Sequence, residues 1–397
     1  MADEEDGHFL RVRPEWLTRR VEDILEPDLP IIDPHHHLWD FPEWRYLFAD
    51  LLADLQSGHN IRQTVFVQCF AMYRADGPRE LRSLGETEFV NGVAAMSASG
   101  GYGDVRACAG IVGMVDLRLD KKAADVLSRH VAAGGGRFKG VRQIAAWDAD
   151  ERIRSASRAP PPDLFQQPEF RQGFSCLEAA DLSFDVWAYH TQLDQVADLA
   201  RAFPGTRIVL DHVGGPIGIG RFAGRRDEVY ADWSRAIDRI AACANVVVKL
   251  GGLAMRLGGF SFHRGAEPPS SEELAAAWRP CVDRCIQSFG PERCCSKAIF
   301  RSTRGVAATR CFGMRSSAWR RAILPRRRPR CSAKPHARLI ACRRTEAVRP
   351  VNSESRGAAP HFTIAGCAAS ATWRASAAAA VGAPWVFGIL SAKTSTK

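Results

Sequence analysis

A chain of 397 residues, 46% of them hydrophobic, can bury a large core, either as one α/β barrel or as two to three smaller domains. No run approaches the roughly 18 consecutive apolar residues of a membrane helix, so no membrane partner is expected. The net charge of +10 is uneven: Cys295 to Lys397 holds twenty Lys and Arg against two acids, Glu346 and Glu354, leaving 34 basic and 42 acidic residues before it. The first part is thus near −8 and the last hundred residues near +18, a step that marks two stretches of different origin or role.

The opening MADEEDGHFLRVRPEWL is acidic and lacks a signal-type apolar stretch, which sets a cytoplasmic expectation. Residues 1–27 read as an N-terminal extension. Beyond them, short apolar runs alternate with longer amphipathic stretches, the pattern of a parallel sheet with helical crossovers. The predicted strands are Leu29–Asp33, Gln63–Cys69, Val105–Gly113, Gly140–Ile144, Ser183–Tyr189, Arg207–Asp211 and Asn245–Leu250. Helices are predicted at Gln192–Phe203, where Leu193, Val196, Leu199 and Ala200 recur at helical spacing before Pro204 and Gly205, and at Asp227–Cys243. A further helix, Ser271–Phe289, follows the helix-start signal Ser270-Ser271-Glu272-Glu273. Cys69, Cys108, Cys176, Cys243, Cys281 and Cys285 read as small buried hydrophobes of a reduced compartment. Cys281 and Cys285 stand four apart on a helix, but no second ligand pair supports a zinc site.

The sharpest chemical signal is Ile31-Ile32-Asp33-Pro34-His35-His36-His37-Leu38-Trp39-Asp40. At the end of an extended strand, His35 and His37 project to one side and His36 to the other. Two imidazoles so placed can share a divalent ion as neutral nitrogen ligands. Barrel enzymes keep their chemistry at the C-terminal ends of strands, and His190 and His212 also follow predicted strands there. Four histidines at three strand ends can gather around one ion or polarise one carbonyl; single histidines that only cap strands are the plainer alternative. Arg142, in KGVRQ, suits bidentate capture of a substrate carboxylate and equally an ordinary salt bridge. Lys249, in VVVKL, is a lysine inside an apolar strand and needs a partner there, whether substrate or protein. Gln68, Asp211 and the Gly85-Glu86-Thr87-Glu88 segment are weaker candidates.

DPHHHLWD, GETEFV, FKGVR, FDVWAYHTQL, RIVLDHVGGP, NVVVKLGGL and FGPERC, in that order, resemble the amidohydrolase-related (amidohydrolase 2) family, which includes 2-pyrone-4,6-dicarboxylate lactonase and sugar-acid lactonases. The resemblance covers roughly residues 28–294. It implies an α/β fold, a distorted (β/α)8 TIM-type barrel, with His35, His37, His190 and His212 in or near the active site and Arg142 near a substrate carboxylate; Lys249 and Gln68 stay, on their own residues, as further candidate substrate contacts. Some members use a divalent metal and others hydrolyse lactones without one; a zinc or manganese ion would fall to His35, His37 and His190. The implied activity is hydrolysis of a small carboxylated lactone or amide by activated water. A decarboxylase of the same superfamily is the alternative among enzymes.

Family members continue after the equivalent of FGPERC with a strand resembling Met-Phe-Glu-Ser-Asn-Phe-Pro-Val-Asp-Lys, or with Asp in place of Asn. This chain has CCSKAIFRSTRGVAATRC instead, so the barrel is expected to lack its eighth strand and the carboxylate that strand usually carries. The genetic code accounts for the difference. If one base was lost after the Cys294 codon, joining the third base of each codon to the first two of the next permits Phe-Glu-Ser-Asn-Phe-Pro-Val-Asp-Lys at every step, and later a stop codon across Cys342 and Arg343. Residues 295–397 then read as a basic, irregular tail translated in the wrong frame and largely disordered. Its RRAILPRRRPR run would suit a non-catalytic nucleic-acid-binding arm, but no recognition motif accompanies it, so no specific nucleic acid is expected and the partner remains a small-molecule substrate. A chain without strand eight leaves activity in question, and the sequence does not define an oligomeric state. Resequencing the DNA at the Cys294 codon should reveal one missing base, whereas an intact frame would refute the frameshift.

Overall fold

The structure is a computed structural model that describes residues 10, 12–41, 44–154, 159–296 and 307. Eight parallel strands follow one another around the sheet in chain order: β1 (Ile31–His36), β2 (Ile61–Val67), β3 (Arg106–Gly113), β4 (Phe138–Ile144), β5 (Ser183–Trp187), β6 (Ile208–Leu210), β7 (Val246–Leu250) and β8 (Cys294–Ser296). Each step from strand to strand runs through helical or loop segments long enough for a parallel crossover. The principal helices are α1 (Phe48–Leu55), α2 (Leu84–Ala98), α3 (Ala123–Ala133), α4 (Pro168–Phe174), α5 (Leu193–Ala202), α6 (Arg226–Ala241) and α7 (Ser271–Phe289). A two-stranded ribbon, Trp39–Phe41 with Trp44–Tyr46, lies between β1 and α1.

All seven sequence-predicted strands appear in the sheet, with edges shifted by a few residues. The largest shift is at β1, which runs past Asp33 through Pro34 to His36. Strands covered on both faces read as near-continuous apolar runs, and Val246–Leu250 and Ile208–Leu210 are of that kind. The predicted helices map onto α5, α6 and α7. At the start of α7, Ser270 Oγ accepts from Glu273 N at 3.1 Å while the Glu273 carboxylate accepts from Ser270 N at 2.6 Å, so two otherwise orphaned donors are satisfied. On the outer side of the barrel, Phe170, Phe174 and Phe184 pack ring against ring with centroids 5.1 to 6.0 Å apart, tying α4 to β5.

The eighth strand is a stub. Cys294, Cys295 and Ser296 pair in parallel with Val248, Lys249 and Leu250 of β7. Among the described residues no strand ladder joins β8 to β1, so the barrel is nearly closed with one unsealed seam. The expectation of a missing eighth strand is therefore refined: three residues occupy its place beside β7 and leave the seam open. The rest of the expected off-frame tail, from residue 297 onward, lies outside the described residues apart from Ala307. No described helix is long and apolar enough to cross a membrane.

The N-terminal segment binds the loop between β7 and α7. Trp16 Nε1 donates to Gly265 O at 2.9 Å, Arg19 Nη1 to Ala266 O at 3.0 Å and Arg20 Nε to Pro268 O at 2.6 Å. Side-chain donors thus satisfy carbonyls of a stretch that has no sheet or helix partner of its own.

Candidate active site

The C-terminal ends of the strands converge on a buried polar cluster. His35 lies in β1, with His37 just beyond it. Gln68 follows β2, Arg142 lies in β4, Asp185 in β5, and Lys249 in β7, while Asp211 and His212 follow β6. The ladders dictate several of these neighbours. Arg142 is the register partner of Asp185, and Asp211 and Lys249 come one step after the Leu210–Val248 pair.

At the centre is the Lys249 ammonium, 2% exposed. It donates to the Asp185 carboxylate, and its Nζ lies 3.3 Å from Asp211 Oδ1 and 3.3 Å from His35 Nδ1. Burial alone would strip its charge. The carboxylates of Asp185 and Asp211 more than offset that penalty and hold the ammonium above the usual lysine range. Lys249 is therefore a fixed positive charge, unsuited to act as a base or an amine nucleophile.

The protons on the histidine pair follow from what surrounds them. His37 Nδ1 lies 2.6 Å from the carbonyl oxygen of Val67, which can only accept, so Nδ1 carries the proton and Nε2 presents a lone pair. His35 Nε2, 3.2 Å from His37 Nε2, is then the donor of that contact, and His35 Nδ1 accepts from Lys249. Arg142 is gripped by one residue: its Nε donates to Gln68 Oε1 at 2.9 Å, its Nη2 donates to Gln68 O, and Nη1 stands 3.6 Å from Asp211 Oδ2.

His212 sits in a run of left-handed backbone, with φ of +54° at His212, +50° at Val213, +72° at Gly214 and +55° at Gly215. Such angles are costly for a branched residue such as Val213 and need support. Trp233 Nε1 of α6 supplies it, donating to Val213 O at 2.7 Å. Gly252 makes the room: a Cβ there would lie 2.3 Å from His212 Nδ1. The Trp187 ring meets the His212 imidazole edge to face at a centroid distance of 4.4 Å, and His35 lies 5.0 Å away on the same measure.

A family model for amidohydrolases matches residues 32–295. The chain belongs to the amidohydrolase family. Among curated relatives, the uncharacterized protein y4mH of Sinorhizobium fredii is 29% identical over 289 residues, which are 67% of this chain and 83% of that one. An L-fucono-1,5-lactonase of Burkholderia multivorans is 26% identical over 276 residues, covering 66% of this chain and 79% of the lactonase. Among solved structures, an amidohydrolase from Burkholderia multivorans with bound zinc superimposes with a TM-score of 0.56 at 23% identity, over 74% of this chain and 93% of that one. That superposition supports the fold alone.

The donors of this amidohydrolase fit a metal ion in kind and spacing. Ligand atoms of His35, Asp211 and His212 lie within 4.8 Å of one another, all on buried residues. Two nitrogens that share a zinc at ~2.0–2.1 Å in near-tetrahedral geometry stand about 3.4 Å apart. The 3.2 Å between His35 Nε2 and His37 Nε2 matches that spacing. His190 stands outside this three-residue group, though near the same loop: its N–H donates to Gly215 O at 3.0 Å and its ring lies 5.1 Å from that of Phe222. Burial pushes the His190 imidazole down to about 4, so it is neutral at ordinary pH and its Nδ1 has no hydrogen-bond partner among the described residues.

Sequence reasoning gave Asp211 a minor place and passed over Asp185. A lone acid inside SFDVW was the available signal, because a carboxylate in an apolar parallel strand needs a buried cation. Its partner lies 64 residues away in sequence. Lys249→Met should therefore destabilise the fold by about 3–5 kcal/mol in urea denaturation, since it strands two buried carboxylates. Adding Asp185→Asn to that variant should recover part of the loss; a Lys249→Met change that costs under about 1 kcal/mol would show the ammonium is not held in this network.

Proposed function

We propose that this amidohydrolase hydrolyses the ester bond of a small lactone bearing a carboxylate, with His35, His37, His190 and His212 as the catalytic histidines. The observation that carries the reading is the buried histidine pair at the strand ends, with His35 Nε2 and His37 Nε2 3.2 Å apart beside the Lys249 network. Lactone hydrolysis needs an acceptor for the proton of the attacking water, and a neutral imidazole in a dry, preorganised site supplies one. The likeness to sugar lactonases supports the same reaction type.

Arg142 takes the substrate carboxylate in this reading. Gln68 holds it by Nε and Nη2, which fixes the plane of the guanidinium and leaves further N–H groups for an anion. His37 keeps its proton on Nδ1, so when the attacking water displaces the His35 Nε2–H contact, the His37 Nε2 lone pair accepts the water's proton and His37 becomes the imidazolium, its Nδ1–H held by Val67 O. Asp211 Oδ1, 3.2 Å from His35 Nδ1, places negative charge beside the histidine pair, which favours that imidazolium. A zinc or manganese ion, if bound by His35, Asp211 and His212, with His37 and His190 as the further candidates, would supply Lewis-acid polarisation of the carbonyl at the same place. The zinc belongs to that Burkholderia multivorans protein; what supports an ion here is this chain's own donor group of His35, Asp211 and His212.

The test is a panel of δ-lactones, each as the free acid and the methyl ester, assayed by base consumption. Hydrolysis of the acid is expected, and Arg142→Met should raise KM for the acid by about 10- to 100-fold, the worth of a charge-assisted hydrogen bond, while changing KM for the ester little. No hydrolysis of any lactone would overturn the activity. An equal KM rise for acid and ester would leave Arg142 with a structural role only.

A further inference from the structure

We infer that Glu86 is a positioning residue for substrate binding: it fixes the loop after β2 and, through Gln68, sets the orientation of Arg142. The inference rests on the reading of Arg142 as the carboxylate-binding group. Glu86 lies in the first turn of α2 and is 1% exposed. Its Oε1 accepts two backbone hydrogen bonds from the loop, Cys69 N at 3.0 Å and Ala71 N at 2.9 Å.

That loop needs an external tie. Phe70 and Met72 have φ of +65° and +54°, a conformation that side-chain-bearing residues adopt at a cost. Their backbone bends so tightly around the start of α2 that a Cβ at Gly85 would lie 2.3 Å from Met72 O. Two donors from one strained turn, both buried, have one acceptor atom to satisfy them. Without Glu86 they would be orphaned at a cost of about 1–3 kcal/mol each, and the turn would be free to relax.

The residue on the barrel side of this turn is Gln68. Its N–H is fixed to Val112 O of β3 at 2.8 Å, and its side-chain and main-chain oxygens both accept from Arg142. A shift at Cys69 therefore reaches the guanidinium through one peptide unit. Burial pushes the Glu86 carboxyl up to about 7, and its Oε2 has no hydrogen-bond partner among the described residues. One oxygen is enough for the tie, so glutamine should serve where alanine cannot.

The experiment measures KM and kcat for a carboxylated δ-lactone and for its methyl ester in five variants of the full chain. Arg142→Met is the reference. Glu86→Ala and Glu86→Asp, which keeps the charge but loses one methylene of reach, should raise KM for the acid by about tenfold, equivalent to 1.4 kcal/mol, with kcat and the ester little changed. Glu86→Gln should stay within about twofold of the parent. Combining Glu86→Asp with Arg142→Met should add nothing to the Arg142→Met effect, because both act on one contact. Equal losses for acid and ester, or effects that multiply in the double variant, would make Glu86 merely structural and overturn the inference. An Arg142→Met change that raises KM equally for acid and ester would instead sink the reading of Arg142 itself. Glu86→Asp keeps the test alive should Glu86→Ala fail to fold.

Discussion

Everything at the mouth of this barrel depends on one buried cation. The Lys249 ammonium has left water for a site where it is 2% exposed, and it can stay charged only because Asp185 and Asp211 are also buried beside it. The exchange is not even: burial raises the Asp185 carboxyl above its ordinary value, and the Lys249 contact offsets that only in part. Three strands are thereby bound at their inner ends by charge as well as by backbone ladders. His35 joins the group through Lys249, and Arg142 extends it through Asp211 to Gln68. The outcome is a chain of polar side chains whose orientations are set by one another before any substrate arrives, which is the condition under which electrostatic stabilisation of a transition state costs no reorganisation.

This arrangement bears on a barrel that is open at one seam. In a closed parallel barrel the ladder between the last and first strands holds the mouth in register. Here, among the described residues, β8 is three residues long and pairs with β7 alone. The contact from Lys249 in β7 to His35 in β1 spans that gap through the interior. A side-chain bridge across an unsealed seam is a weaker tie than a ladder, but it acts at the place where the histidines must be held.

Much of the fold was legible because parallel strands buried on both faces leave apolar runs, and turns and caps punctuate them. The helix Ser271–Phe289 was readable to the residue because its capping box is a local signal. The end of β1 was set at Asp33, before the alternating histidines, whereas the strand runs to His36 and the side chains from Asp33 to His37 are all buried. Of the site, the histidines stood out by their place after strands. Asp185 did not, because a single acid in an apolar run gains meaning only from a lysine 64 residues on. Glu86 was named only within the weak candidate segment Gly85-Glu86-Thr87-Glu88, and nothing local reveals that one carboxylate oxygen holds a strained turn 15 and 17 residues earlier.

The central claim is that this cluster is where a carboxylated lactone is opened. The most direct measurement is a crystal structure of the protein soaked with the hydroxy-acid product. The account predicts one carboxylate within hydrogen-bond distance of Arg142 and the newly formed one facing Lys249 and His37. Product bound elsewhere, for instance in the outer cleft lined by Arg226, Phe260 and Phe262, with the cluster untouched, would contradict it.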